Sequence, residues 1–139
     1  MSFEWKDRYK LNIEEVDRQH QKLFEIGGRA YDLTLLSNAF DRYDEIVAVI
    51  DELLAYTEYH FKFEEDFLTQ YNYPLLTQHL SEHTYYVAKI KSLSSGDLDK
   101  NQVKTLQDIV DFLSQWISSH IVLEDRKYTS FLKEKGISL

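Results

Sequence analysis

Residues 60–83 read HFKFEEDFLTQYNYPLLTQHLSEH and contain two pairs of side chains that can bind a metal ion. His60 and Glu64 form one pair and His79 and His83 the other, each with a spacing of four residues. Residues at this spacing lie one above the other on the same face of a helix, so each pair can direct two donor atoms at one point. The stretch therefore predicts two helices, each presenting two ligands to the same region.

Apolar periodicity extends this helical pattern over most of the chain. The 139 residues include only four Gly and one Pro, which favours long helices over a turn-rich β fold. Apolar residues recur at three- and four-residue steps in four segments, predicted at about 17–37, 41–71, 74–92 and 99–135. Four amphipathic helices with short connections predict an all-α, up-down-up-down four-helix bundle. Residues 1 to about 16 are then an N-terminal arm, and residues 1–139 form a single domain.

Individual residues predict where the helices begin, end and approach one another. Asp17, Asp41 and Asp99 are predicted to cap helix N-termini, Pro74 to start the third helix, and Gly136 to follow the last one. Two glycines in mid-helix, at 27 and 28, cost about 1 kcal/mol each relative to alanine. Their presence predicts that a neighbouring helix comes close to this point.

Composition excludes several classes of partner and site. The formal net charge of −8 argues against nucleic acid and against anionic membrane surfaces, which attract basic proteins. The absence of cysteine excludes disulfides, thiolate metal sites and a cysteine nucleophile. The N-terminus lacks the apolar core of a secretory signal, and the longest aliphatic run, residues 46–50, is too short to span a bilayer. These features predict a cytoplasmic protein, and they leave a protein partner or a homo-oligomer open.

All five histidines of the chain fall on the predicted inward faces of the helices. They are His20, His60, His79, His83 and His120. A single histidine on an apolar stripe is more often a hydrogen-bonded core residue than a ligand. Five together are difficult to satisfy one by one inside a bundle, and Glu64 on the same face needs a cation if it is buried. The pattern therefore favours one shared metal centre.

Asp125 is a further candidate ligand, although it lies five residues after His120. At about 100° per residue, this spacing places Asp125 roughly 140° further around a regular helix. A one-residue π-bulge would bring both side chains to the same face, and such bulges are frequent at functional sites. The apolar pattern changes phase between Ile117 and Tyr128, which supports the bulge. The alternative is that Asp125 is a surface acid beside Arg126.

The order of these motifs resembles the hemerythrin family in its stand-alone bacterial form. The resemblance rests on His20, His60-x3-Glu64, Tyr73-Pro74, His79-x3-His83 and Trp116-x3-His120-x4-Asp125, with Trp5 and Asp17-x-Gln19 as further matches. It covers nearly the whole chain and fills every position of the family's ligand pattern. The departures are Leu68, where many members have Met, and Tyr86, where many have Phe.

This resemblance implies a non-haem pair of iron ions, joined by an oxo or hydroxo group, that binds dioxygen reversibly. One iron would take His79, His83 and His120, and the other His20 and His60. Glu64 and Asp125 would bridge the two ions. Iron is what the resemblance implies, since nitrogen and oxygen ligands also suit zinc or manganese.

The resemblance favours an oxygen-binding protein without catalytic residues, used for storage, delivery or sensing. Five neutral imidazoles stabilise highly oxidised iron less well than the four carboxylates of ferritin-like sites, which favours reversible binding. The predicted apolar walls of the oxygen pocket are Phe24, Ile117, Ile121 and Leu123. The alternatives are an oxidase, peroxidase or nitric oxide scavenging activity at the same centre, and a bundle in which the metal is only structural.

Overall fold

The protein is an all-helical bundle in the part of the chain that the computed structural model describes, residues 3–35, 42–95 and 102–137. The main helices are α1 (Glu14–Thr34), α2 (Tyr43–Gln70), α3 (Leu76–Ser94) and α4 (Gln102–Trp116). The chain continues from α4 through a π-helix, Ile117–Asp125, into α5, Arg126–Glu134. Each of α1 and α3 packs against both α2 and α4, so the helices enclose a common interior. The predicted four-helix bundle is confirmed.

Three predicted helix ends lie close to those in the structure, three lie outside the described residues, and two predicted starts, at Asp17 and Pro74, are displaced. The ends expected near residues 71, 92 and 135 are found at Gln70, Ser94 and Glu134. The ends expected near residues 37, 41 and 99, and the predicted caps at Asp41 and Asp99, fall in the ranges that are not described.

The N-terminal arm is tied to the start of α1 by Asp17. The helix begins at Glu14, earlier than predicted, with Ile13 at the N-cap position. The carboxylate of Asp17 accepts hydrogen bonds from the backbone N–H groups of Leu11 (2.8 Å) and Asn12 (3.1 Å). The prediction that Asp17 is the N-cap is therefore wrong, because this carboxylate lies within the helix and bonds back to the arm.

The turn between α2 and α3 is longer than the sequence indicated. Helix α2 ends in a Schellman motif, with Asn72 at φ 55° and hydrogen bonds from Asn72 N to Thr69 O (3.2 Å) and from Tyr73 N to Leu68 O (3.1 Å). After this motif the chain changes direction before a new helix can begin. Helix α3 starts at Leu76, so the prediction that Pro74 starts it is wrong by two residues.

Gly136 ends α5 as predicted. Its φ of 71° lies in the left-handed region, and its N–H bonds to Lys133 O at 3.0 Å. The N–H of Ile137 bonds to Leu132 O at 2.9 Å, which completes a second Schellman motif.

The close approach predicted at the two mid-helix glycines occurs at Gly27. A Cβ atom on Gly27 would lie 2.8 Å from Cδ1 of Phe3 and 3.0 Å from Cδ2 of Leu113. The neighbours are therefore the N-terminal arm as well as helix α4. A Cβ atom on Gly28 would meet its nearest neighbour at 3.8 Å, which is ordinary contact.

Two apolar clusters fill the bundle and leave a polar layer between them. The larger cluster includes Leu23, Leu53 and Ile90, and the smaller one includes Val16 and Leu68. On α1, His20 lies between Val16 of the smaller cluster and Leu23 of the larger one. On α2, Glu64 lies between Phe61 of the larger cluster and Leu68 of the smaller one. Within the described ranges, no helix is long and apolar enough to cross a membrane.

Candidate metal centre

The polar layer consists of the residues that the sequence predicted as ligands. Each of them is 3% exposed or less. They are His20 on α1, His60 and Glu64 on α2, His79 and His83 on α3, and His120 and Asp125 on the π-helix. The structure thus brings residues from all sides of the bundle into one buried layer.

The π-helix is what brings Asp125 into this layer. In a π-helix each backbone hydrogen bond spans five residues, and side chains five positions apart come onto the same side. Nε2 of His120 consequently lies 3.0 Å from Oδ1 of Asp125. The predicted departure from regular α-helical bonding between these residues is confirmed.

Glu64 lies at the centre of the layer. Its Oε1 is 2.6 Å from Nε2 of His79 and 3.0 Å from Nε2 of His83. Its Oε2 is 3.5 Å from Nε2 of His60 and accepts a hydrogen bond from the hydroxyl of Tyr128 at 3.1 Å. One carboxylate thus faces imidazoles from both α2 and α3.

Asp125 also faces imidazoles from different helices. Its Oδ1 is 3.0 Å from Nε2 of His79, and its Oδ2 is 3.2 Å from Nε2 of His20. Together with the contact to His120, these distances place this carboxylate among ligands from three helices.

The donor atoms divide into two groups, each compact enough to surround a metal ion. One group is Glu64, His79, His83 and His120, and the other is His20, His60, Glu64 and Asp125. Within each group the donor atoms lie within 4.8 Å of one another. Glu64 belongs to both groups, which is the position that a bridging carboxylate occupies.

Several buried donor atoms support the fit of a cation. Among the described residues, both ring nitrogens of His20 and both carboxylate oxygens of Asp125 lack a hydrogen-bond partner of good geometry. Buried polar atoms are rarely left unpaired, and a bound ion is one of the usual reasons. Imidazole nitrogens and carboxylate oxygens are also the donor types that iron accepts. The residues present fit a pair of iron ions.

Burial and the neighbouring carboxylates set the histidine pKa values in opposite directions. Burial lowers the pKa of His60 to about 4. Burial also opposes protonation of His79 and His120, but the Asp125 and Glu64 carboxylates outweigh it and raise their pKa values to about 9 and about 10. In the metal-free protein, these two imidazoles therefore carry protons that a metal ion would replace.

The neighbouring imidazoles keep the buried carboxyl groups of Glu64 and Asp125 ionised. Burial and the Asp125 carboxylate oppose ionisation of Glu64, but hydrogen bonds from His79 and His83 hold its pKa below the usual range. Burial likewise opposes ionisation of Asp125, and His120 above all holds its pKa well below the usual range.

Gln19 fixes the orientation of the His60 ring. Its side-chain N–H donates to Oε1 of Glu15 at 2.9 Å, which turns its own oxygen toward His60. That oxygen lies 2.7 Å from Nδ1 of His60, so Nδ1 carries the proton and Nε2 is directed at the carboxylates.

Aromatic rings stack on two further imidazoles. The ring of Phe61 stacks on His83 with centroids 3.7 Å apart, and the ring of Trp116 stacks on His120 at 4.3 Å. These contacts restrict rotation of both imidazoles.

The predicted pocket residues do not all lie beside the site. Phe24, Ile117 and Ile121 are buried in the larger apolar cluster. Leu123 is 59% exposed, so its predicted place in the pocket wall is corrected. The reason is the π-helix, because a residue three positions after His120 faces away when residues five apart share a side.

Tyr128 and Glu82 make contacts in the site that the sequence does not predict. The Tyr128 hydroxyl bonds to Glu64, and Oε2 of Glu82 lies 3.5 Å from Nδ1 of His120. In the sequence, Tyr128 is distinguished only by its place in the apolar pattern after the phase change. The only signal for Glu82 was its place directly before His83.

Comparisons with known proteins give one consistent result. The family model for the hemerythrin HHE cation binding domain matches residues 11–132. The chain is 41% identical to a bacteriohemerythrin of Clostridium acetobutylicum over 128 residues, which cover 91% of this chain and 98% of that protein. It is 33% identical to a myohemerythrin of Riftia pachyptila over 134 residues, which cover 92% of this chain and 97% of that protein.

Proposed function

The chain belongs to the hemerythrin family, and on this premise we propose that it binds dioxygen reversibly at a pair of iron ions. The family in general binds dioxygen at a non-haem di-iron site. The observation that carries the proposal is the complete donor set, five imidazoles and two carboxylates buried in one layer between two apolar clusters. The role would be storage, delivery or sensing of dioxygen.

Each donor has a distinct place in this proposal. His79, His83 and His120 would hold one iron ion, and His20 and His60 the other. Glu64 and Asp125 would be shared, since each lies among imidazoles from several helices. When bound, the iron pair supplies the electrons that dioxygen takes up. The protein supplies the fixed positions of the donors.

Residues behind the donors keep them aimed at the centre. The hydroxyl of Tyr128 donates to Oε2 of Glu64 at 3.1 Å and so limits rotation of this carboxylate. Gln19 holds His60 in the tautomer whose Nε2 is free to bind a metal. Such outer contacts typically change metal affinity 10- to 100-fold when they are removed.

Apolar residues near the site would keep water away from bound dioxygen. Phe24 lies one turn after His20 on α1, and Ile117 and Ile121 flank His120. All three are buried in the larger apolar cluster. Exclusion of water limits proton supply and therefore loss of reduced oxygen from the site.

The donor set favours oxygen binding over the enzymatic alternatives. A centre with four carboxylates, as in ferritin-like proteins, stabilises highly oxidised iron better than one dominated by neutral imidazoles. We therefore propose a non-enzymatic protein, formed by residues 1–139 as a single domain and located in the cytoplasm. Oxidase, peroxidase and nitric oxide scavenging activities are the alternatives at the same centre.

Anaerobic loading with Fe(II) followed by titration with dioxygen tests the proposal. We expect two iron ions per chain, uptake of one dioxygen per iron pair, and no further uptake when a reductant is added. Protein loaded with zinc is the control and should take up none. Sustained consumption of dioxygen with the reductant would instead support the oxidase alternative. An iron-loaded protein that takes up no dioxygen, like the zinc control, would support a structural metal site.

A further inference from the structure

On each of three helices, the residue next to a candidate ligand in the sequence contacts a histidine ring on the following helix. The contacts to ring Nδ1 are Gln19 Oε1 to His60 at 2.7 Å, Glu65 Oε2 to His83 at 3.4 Å and Glu82 Oε2 to His120 at 3.5 Å. The contacting residues stand next to His20, Glu64 and His83 respectively. One arrangement is thus repeated from α1 to α2, from α2 to α3 and from α3 to the π-helix.

The repeated contacts differ in charge between the two halves of the site. The half with His20 and His60 is supported by the neutral amide of Gln19. The half with His79, His83 and His120 is supported by the acidic side chains of Glu65 and Glu82. A carboxylate behind a metal-bound imidazole raises the basicity of that ligand, and a neutral amide does so less.

The burial of one oxygen marks Glu82 as more than a surface acid. Its side chain is 34% exposed, so the carboxylate can reach water. Nevertheless its Oε2 is buried and, within the described residues, has no hydrogen-bond partner of good geometry, and the same is true of Nδ1 of His120. Burying a carboxylate oxygen is unfavourable unless a donor faces it. The His120 ring N–H, 3.5 Å away, is in the position to be that donor.

Glu65 has the same relation to His83 at the edge of a surface groove. It is 32% exposed and lines a cavity of about 410 Å³ between α2 and α3, together with Glu58, Phe61 and His83. Phe61 lies flat on the His83 ring, with an interplanar angle of 3°. The ring is therefore held in the plane that keeps Nδ1 facing Glu65.

We infer that Glu65 and Glu82 are positioning residues whose negative charge makes His83 and His120 stronger donors and lowers the reduction potential of the iron pair. The inference rests on the proposed function, because it requires iron at these imidazoles. It adds that the half of the site held by three histidines is the more electron-rich half.

The test compares glutamine and alanine variants by redox titration of the iron-loaded protein. Glu65→Gln and Glu82→Gln keep an oxygen that can accept the ring N–H but remove the charge. We expect both variants to retain iron as the wild type does and to have raised midpoint potentials, with a larger rise in the double variant. Glu65→Ala and Glu82→Ala also remove the acceptor, and we expect them to lose iron to a chelator about 10- to 100-fold more readily.

Glu58→Gln is the matched control. Glu58 lines the same groove as Glu65 but faces Lys91 at 3.9 Å and, within the described ranges, forms no ion pair or hydrogen bond with a candidate ligand. The midpoint potential of Glu58→Gln should therefore equal that of the wild type. Equal midpoints in Glu65→Gln, Glu82→Gln and Glu58→Gln would overturn the inference while leaving the proposed function intact. Failure of the wild-type protein to bind iron would overturn both.

Discussion

Oδ1 of Asp125 lies 3.0 Å from Nε2 of His120, although Asp125 follows His120 by five residues on the same helix. A regular α-helix would separate these side chains by about 140°. The π-helix Ile117–Asp125 removes this separation and also keeps Tyr128 and Leu132 directed at the smaller apolar cluster. The candidate metal centre and the apolar core after it therefore depend on one local irregularity.

Deleting Leu123 should be tolerated, because the π-helix already accommodates one residue too many. Without this exposed residue, His120 and Asp125 would be four positions apart and could share a face of a regular α-helix. We expect the variant to fold and bind iron. Deletion of Asp111, an exposed residue of regular helix α4, should instead rotate the flanking segments by about 100° and abolish iron binding. Equal loss of iron in the two deletions, measured by metal analysis, would contradict this account of the bulge.

Removing a shared carboxylate should reduce metal content more than removing one histidine. Glu64→Ala and Asp125→Ala leave two cations less neutralised, whereas His20→Ala leaves both shared ligands in place. We expect each carboxylate variant to lose at least one of its metal ions. Glu124→Ala is the control, since Glu124 adjoins Asp125 but pairs with Lys127 at 3.0 Å. Retention of both ions with an unchanged optical spectrum in Glu64→Ala would argue against a bridging role.

The sequence predicted those parts of the site that follow from helical geometry. The pairs His60 with Glu64 and His79 with His83 share a face because of a four-residue spacing, and the apolar phase change indicated the π-bulge. The contact between Tyr128 and Glu64 could not be predicted, since an inward-facing tyrosine gives no indication of where its hydroxyl points. In the sequence, Glu82 has the pattern of a surface acid. What distinguishes it is that one carboxylate oxygen is buried, and this is visible only in the structure.

Local hydrogen bonding explains the errors in the fold prediction. Asp17 has the side chain of an N-cap, but its oxygens bond to the arm residues Leu11 and Asn12, and α1 begins before it. Pro74 has the residue type of a helix start, but the Schellman motif at Asn72 occupies the preceding residues and delays α3. In both places local hydrogen bonds override a preference that residue type alone expresses.

In the metal-free protein, His79 and His120 should stay protonated well above neutral pH, and His60 should stay neutral. The pKa values of His79 and His120 are raised to about 9 and about 10, while that of His60 is lowered to about 4. Long-range ¹H–¹⁵N NMR spectra at pH 7.5 should show two imidazolium rings and a His60 ring protonated at Nδ1. A neutral His79 and His120 at this pH would contradict the ion pairing with Asp125 and Glu64.

The same pKa shifts predict how the stability of the metal-free protein depends on pH. The raised pKa values of His79 and His120 stabilise the folded state. This stabilisation is fully present below pH 6.5, the ordinary pKa of histidine, and is lost as pH rises through about 9 to 10. The lowered pKa of His60 acts oppositely and removes stability as pH falls from 6.5 toward 4. Denaturant unfolding of the metal-free protein should therefore show lower stability at pH 10 and at pH 4 than near pH 6.5.

The two glycines of α1 should respond differently to alanine. Gly28→Ala should increase the free energy of unfolding by about 1 kcal/mol, since alanine favours the helix and the new Cβ meets only ordinary contact at 3.8 Å. In Gly27→Ala the new Cβ would lie 2.8 Å from Phe3 and 3.0 Å from Leu113, and overpacking of this kind costs about 1 to 3 kcal/mol. Denaturant unfolding measures both. A Gly27→Ala variant as stable as Gly28→Ala would show that the arm does not pack closely there.

Reversibility of dioxygen binding is the most direct test of the proposed function. The measurement starts from the anaerobic protein loaded with Fe(II), adds dioxygen, records the optical spectrum, and then removes the gas by purging with argon. We expect the spectrum of the starting protein to return over several cycles, with iron content unchanged, because the buried apolar surroundings limit the access of water. If the starting spectrum does not return although iron stays bound, the protein is not a reversible oxygen binder, and the oxidase alternative takes its place.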